Sequence, residues 1–176
     1  CTPTDACYRP ERFERMERLV ERGASAAYGV SVERVEEALK AIEYPGVASV
    51  QIIDNMFRLR PAELFFRQAQ RRNVAVIARV PLASGMLSGK FGRDTRFEDR
   101  DHRQFNRHGE AFDVGETFSG VPYEAGLAAV EKLRPLVPEG ATMAQLALRW
   151  ILMDEAVTVV IPGARTAAQA LGNIAA

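Results

Sequence analysis

Short apolar runs alternate with amphipathic stretches along almost the whole chain. Residues 10–22 place Phe13, Met16, Leu19 and Val20 at helical spacing, with Pro10 suited to a first turn and Gly23 to a stop. Residues 24–30 (ASAAYGV) are small and apolar and read as a buried strand. Ser31 then suits a helix cap, and the helix predicted over 32–43 carries Glu33 and Glu36 near the positive end of its dipole. A second buried strand is predicted over 47–53 (VASVQII), where β-branched residues dominate. Pro61 opens a helix over 61–72 with Leu64, Phe65 and Ala69 on its apolar side, and Asn73 leads into a third strand over 74–80. Helices return over 122–136 and 142–154, the latter capped by Thr142. A last strand over 157–162 turns at Gly163 into a helix from 166 to the end.

Strands that are apolar on both faces and alternate with helices indicate a parallel sheet covered by helices. An open doubly wound sheet and a β/α barrel both satisfy this pattern. A complete eight-stranded barrel takes about 250 residues, so four strands in 176 residues would make half of one. The stretch 81–121 breaks the alternation. It has scattered glycines and phenylalanines, a dense charged run from Arg93 to Arg103 and no sustained period, and it reads as a long surface loop, with its core at about 91–121.

Composition narrows the class. Hydrophobic residues make up 47% of the chain and 23 basic side chains balance 23 acidic ones, which excludes a disordered or collagen-like chain. The absence of a basic block argues against a nucleic-acid partner. No apolar run approaches the roughly 20 residues that cross a bilayer, and no leader is readable, so the expectation is a cytoplasmic protein without a membrane. Cys1 and Cys7 read as free thiols, and neither belongs to a metal-ligand pattern.

In both architectures ligands bind at the carboxyl ends of the strands. After the third strand comes PLASGMLSGK (81–90), whose Ala83, Ser84, Gly85, Ser88 and Gly89 would let backbone amides approach a phosphate beside Lys90. A turn that merely needs small residues explains it equally well. After the last strand comes IPGARTAAQALGN (161–173). There Arg165 and Thr166 stand at a helix entrance that favours anions, and Gln169 and Asn173 follow on the same face. An ordinary capped helix with an exposed arginine is the plainer reading. Gln51 and Arg79 are polar groups set in apolar strands and require partners, either buried neighbours or a ligand.

The segments IARVPLASGMLSGKF and ALRWILMDEAVTVVIPGARTAAQALGN closely resemble the signatures of the aldo-keto reductase family. YGVSVERVEEAL and VASVQIIDNMF match its preceding strand–helix units. The resemblance implies the C-terminal half of a (β/α)8 TIM barrel, with four parallel strands and covering helices in one partial domain over 1–176. It also implies NADPH as cofactor and reduction of a small-molecule aldehyde or ketone by hydride transfer. By the same resemblance, Ser31 and Gln51 hold the nicotinamide carboxamide and Arg79 packs on the nicotinamide ring. Pro81, Leu82, Ser84, Gly85, Leu87 and Lys90 straddle the pyrophosphate. Gly163, Ala164, Arg165, Gln169 and Asn173 hold the adenosine 2′-phosphate and adenine, and the loop 91–121 folds over the cofactor.

Two positions depart from the family pattern. Val32 stands where Asn is common, and Asp54-Asn55 replaces Tyr-Asn, so that Asp54 is expected to need a cation such as Arg58 or Arg79. The family's catalytic Tyr, Lys, Asp and His lie on its first four strands. None of Tyr8, Tyr28, Tyr44 or Tyr123 matches the acid, so no catalytic residue is assigned. A half barrel standing alone would expose two sheet edges, which invites self-association. A non-catalytic NADPH-binding regulatory or interaction subunit, or a remnant that binds no cofactor, is the alternative to the enzyme.

Overall fold

A computed structural model describes residues 2–176. Among these residues, four strands form one all-parallel sheet in chain order: β1 (Tyr28–Ser31), β2 (Val47–Ile53), β3 (Ala75–Arg79) and β4 (Val157–Val160). The helices are α1 (Pro10–Glu21), α2 (Val35–Ala41), α3 (Arg60–Leu64), α4 (Phe66–Arg71), α5 (His102–Phe105), α6 (Tyr123–Leu133), α7 (Met143–Leu152) and α8 (Ala167–Ile174). β1, β2 and β3 are each followed by helix and then by the next strand of the sheet, which is the arrangement of a partial (β/α)8 barrel.

Alternation along the strands separates two faces. Val50, Ile52, Val76 and Ala78 are fully buried against the covering helices, in a core completed by Phe13, Ala38, Phe65, Phe66 and Ile151. Ser31, Gln51 and Arg79 lie on the other face. Each buried Ile, Val or Phe of the core contributes about 1.5–3 kcal/mol, so this helix-covered side holds the sheet together. The opposite face is only partly covered, and Val159 on the edge strand β4 stays 42% exposed.

Several boundaries differ from expectation. Ser31 ends β1 and does not cap the following helix. The cap is Arg34, whose backbone N–H, with that of Glu33, donates to the buried Glu37 carboxylate at 3.0 Å. The expected helix over 61–72 breaks at the fully buried Phe65 into α3 and α4, because burying that ring takes precedence over a continuous helix axis. Thr142 caps α7 as expected, accepting from Gln145 N at 3.2 Å.

The largest difference is the stretch after β3. It is ordered, with 3-10 turns at Ala83–Ser88, Val114–Glu116 and Phe118–Gly120. It builds a second apolar core of Ala83, Met86, Leu87 and Phe118 with Val130, Met143 and Ala147 from α6 and α7. Phe91, Phe97 and Tyr123 add edge-on aromatic contacts, with ring centroids at 5.3 Å for Phe91–Phe97 and 6.2 Å for Phe97–Tyr123. Cys7 is a free, buried thiol whose pKa is raised by burial and by the Glu37 and Asp5 charges; Cys1 lies outside the described residues. No helix among the described residues is long and apolar enough to cross a membrane.

Candidate functional site

The carboxyl ends of β1, β2 and β3 present three of the anticipated side chains on one face. Ser31 pairs in register with Gln51, and its hydroxyl donates to Gln51 Oε1 at 3.1 Å. Gln51 pairs with Ile77, so Arg79, two residues on, shares the same face. Arg79 is 9% exposed. Its guanidinium grips Glu116 through both nitrogens, with Nη1 to Oε2 and Nη2 to Oε1 each at 2.7 Å, and donates to Val32 O at 3.1 Å. Such a bidentate pair fixes the guanidinium plane as well as its charge.

Glu116 is a site residue that the sequence did not single out. Its segment is positioned by Arg58, which donates to Glu33 O at 2.8 Å and faces Asp113 at 3.8 Å. Gly115 sits directly over this guanidinium, and a Cβ there would come within 1.5 Å of Arg58 Nη1. The Glu33 pKa is raised, first by burial and then by the Asp113, Glu116 and Glu37 carboxylates, with Arg79 opposing.

After β3 the backbone turns sharply. Val80 has φ 51°, Ala83 46°, Ser84 56° and Gly85 94°. A β-branched residue in the left-handed region is strained by about 1–3 kcal/mol, and Asn55 holds it there. Its fully buried amide donates to Val80 O at 2.9 Å and to Ser119 Oγ at 2.8 Å. Ser84 spends its hydroxyl inside the protein, donating to Glu116 O at 2.9 Å and accepting from Phe118 N at 3.1 Å. Pro81 and Leu87 are buried, Leu82, Ser84 and Gly85 are partly covered, and Lys90 is exposed.

After β4, Gly163, Ala164 and Arg165 are exposed, and the two amides named from the sequence fold back on them. Gln169 Oε1 accepts from Arg165 N at 2.7 Å, and Asn173 donates to Gly163 O at 3.3 Å. Thr166 caps α8 through Gln169 N at 3.2 Å.

The two turns open at the same end of adjacent parallel strands, since Ala78 pairs with Val160 and Ile161 N donates to Ala78 O. A cleft of ≈ 480 Å³ beside them is lined by Arg96, Arg100, Arg103 and Arg165 with Phe97, Glu98 and Asp101. Arg103 links the cleft to the first turn, with Nη1 3.5 Å from Ser84 O. It is locked by Asp101, whose carboxyl is held down at about 2 chiefly by the Arg103 hydrogen bonds, and it lies 4.6 Å from the Phe97 ring centroid. Arg103 carried no signal beyond membership of a charged run.

Asp54 corrects an expectation. It is 2% exposed and meets neither Arg58 nor Arg79. Burial, then the Asp154 charge, push its pKa up to about 7. The tyrosines are engaged elsewhere: Tyr28 donates to Glu17 at 3.2 Å and is pushed up to about 12, chiefly by burial, and Tyr123 donates to Gly92 O. His102 packs on Phe112 with ring centroids 6.5 Å apart and lies beside Asp101.

A parallel β/α sheet with a polar row at its carboxyl edge and an arginine-lined cleft beside it has the architecture of a partial (β/α)8 barrel. Residues 3–176 match the aldo/keto reductase family, and the chain belongs to it. It is 36% identical over 108 residues to an L-glyceraldehyde 3-phosphate reductase of Escherichia coli O157:H7, covering 61% of this chain and 30% of that protein. It is 27% identical to a probable voltage-gated potassium channel subunit beta of Arabidopsis thaliana, covering 97% of this chain and 54% of that protein. The glycerol dehydrogenase of Gluconobacter oxydans has the same fold at a TM-score of 0.72 and 27% identity, over 97% of this chain and 48% of that one. The holo form of an aldo-keto reductase from Bacillus halodurans superposes at 0.67 with 22% identity, covering 92% and 48%. The chain spans about half or less of the length of these relatives.

Proposed function

We propose that this chain is the cofactor-holding part of an NADPH-dependent oxidoreductase that reduces the carbonyl of an aldehyde or ketone. The observation that carries the reading is the shared mouth at which the Pro81 and Gly163 turns open beside the Arg103–Arg165 cleft. The donor set suits a dinucleotide: arginines for phosphate at one end, a Ser–Gln pair and a planar guanidinium at the other. When bound, NADPH supplies the hydride.

The chain's own residues bind and orient. Ser31 and Gln51 offer polar edges to a carboxamide, and Arg79, held flat by Glu116, gives a ring a face to stack on. The Arg165 side chain, on a turn tied by Gln169 and Asn173, would hold the 2′-phosphate. Ser84 acts by clamping the 116–118 segment against the first turn, because its hydroxyl is already committed there. Among the tyrosines, Tyr28 is too weak an acid at a pKa of about 12 to serve near neutral pH.

Titration with NADPH and NADH, followed by the cofactor's fluorescence, tests the reading. Arg165→Ala is expected to lose about 1–3 kcal/mol toward NADPH, roughly 5- to 150-fold, and little toward NADH. Equal losses for both cofactors, or no binding by the unaltered chain, would overturn it. A second reading, a non-catalytic NADPH-binding subunit, is favoured by the likeness to a channel subunit over 97% of this chain. It predicts NADPH binding without turnover of any carbonyl by the full-length protein.

A further inference from the structure

On the helix-covered side of the sheet, away from the row of Ser31, Gln51 and Arg79, a cleft of ≈ 400 Å³ opens between α3, α4 and α7. Its walls include Leu59, Phe66 and Trp150, and its charged groups are Asp54, Glu63 and Asp154, with no basic residue among the lining. Asp54 is 2% exposed, and its Oδ1 has no hydrogen-bond partner. Asp154 uses Oδ1 to accept from Ala156 N, while both Asp154 and Glu63 reach solvent. Asp54 directly follows β2, three positions beyond Gln51, an odd offset that turns the two side chains to opposite faces.

A buried acceptor without a donor carries its full desolvation penalty, which a hydrogen bond from a cationic donor offsets. The described residues hold no cluster of three or more His, Cys, Asp or Glu arranged for a metal ion, so the three carboxylates do not converge on a point charge. They ring an apolar cleft instead, with an indole on one wall that attracts cations to its face.

We propose that this cleft binds a small organic ammonium ion with an apolar body, its ammonium group donating to the Asp54 carboxylate and its body lying against Trp150 and Phe66. The carboxylates of Glu63 and Asp154 supply the attracting field at the entrance. The ionised form of Asp54 is the acceptor, so affinity rises with pH through the range in which that carboxyl loses its proton. Asp154 and Glu63 face it with like charge, and the bound cation relieves that repulsion.

Trp150 is the chain's one tryptophan, so its fluorescence reads the cleft directly. Titration of the chain with 2-phenylethylammonium chloride in the millimolar range is expected to give a saturable change, tighter at pH 8 than at pH 6. Asp54→Asn, with circular dichroism matching the unaltered chain, is expected to weaken it at least about tenfold. The uncharged 2-phenylethanol is expected to give no saturable change. Where Asp54→Asn does not fold, the exposed pair Glu63→Gln and Asp154→Asn takes its place, and together they are expected to lower the affinity severalfold. No saturable response to the ammonium, an equal response to the alcohol, or unchanged affinity in the folded variants would overturn the proposal.

Discussion

At Asp54 the energetics of burial can be read as a pH dependence. A carboxyl with a native pKa of about 7 and an unfolded value near 3.8 is protonated in both states at low pH and contributes nothing there. Between these values the native state keeps a proton that the unfolded chain releases, so stability falls as pH rises and the loss is complete above about 7. The unfolding free energy from urea titration is therefore expected to drop between pH 5 and pH 8, on the order of 3 kcal/mol for this group alone. Asp54→Asn should remove that dependence and be more stable than the unaltered chain at pH 8. Gln51 and Arg79 announced themselves in the sequence, because a polar group in an apolar strand must find a partner. Their partners were less visible. Ser31 was legible only by resemblance, and Glu116 is one acid among many in a charged run that tertiary contact alone singles out. Asn55 was unreadable for the same reason, since its task is to hold a strained Val80 twenty-five residues away.

Regular elements follow from periodicity, and most of them were legible. β2 spans Val47–Ile53 as the β-branched run required, and α1 begins at Pro10 where a fixed φ suits a first turn. The break at Phe65 was not visible, because a helical period says nothing about a ring that must reach the core. Nor was the order in residues 83–120 visible, since its aromatics meet across space at irregular sequence intervals. Phe97 is the keystone of that segment, in contact with the Phe91, Phe118 and Tyr123 rings and lying under Arg103. Phe97→Ala is expected to cost about 1–3 kcal/mol and to raise amide hydrogen exchange across 91–121 while the strand amides of β1–β3 keep their protection. Unchanged exchange in the segment would show that the remaining rings suffice.

The whole molecule has one well-covered side and one that is only partly covered. β1 and β4 pair on a single side each, and Val159 and Ile161 expose 42% and 43% of their surface at one of those edges. α8 packs lightly, leaving Leu171 68% and Ile174 81% exposed. Such a surface promotes pairing between copies, so sedimentation velocity is expected to show association that grows with concentration. Val159→Lys with Ile161→Lys should suppress it, and a concentration-independent monomer would show that the exposed edge is tolerated. The sheet's strict chain order has a further consequence for synthesis. Each strand pairs with the one made just before it, so a chain leaving the ribosome meets a docking edge already built, with the long wait falling between β3 and β4. Folding can then proceed vectorially, and nascent chains of increasing length should gain protease resistance in successive steps as β2, β3 and β4 clear the exit tunnel.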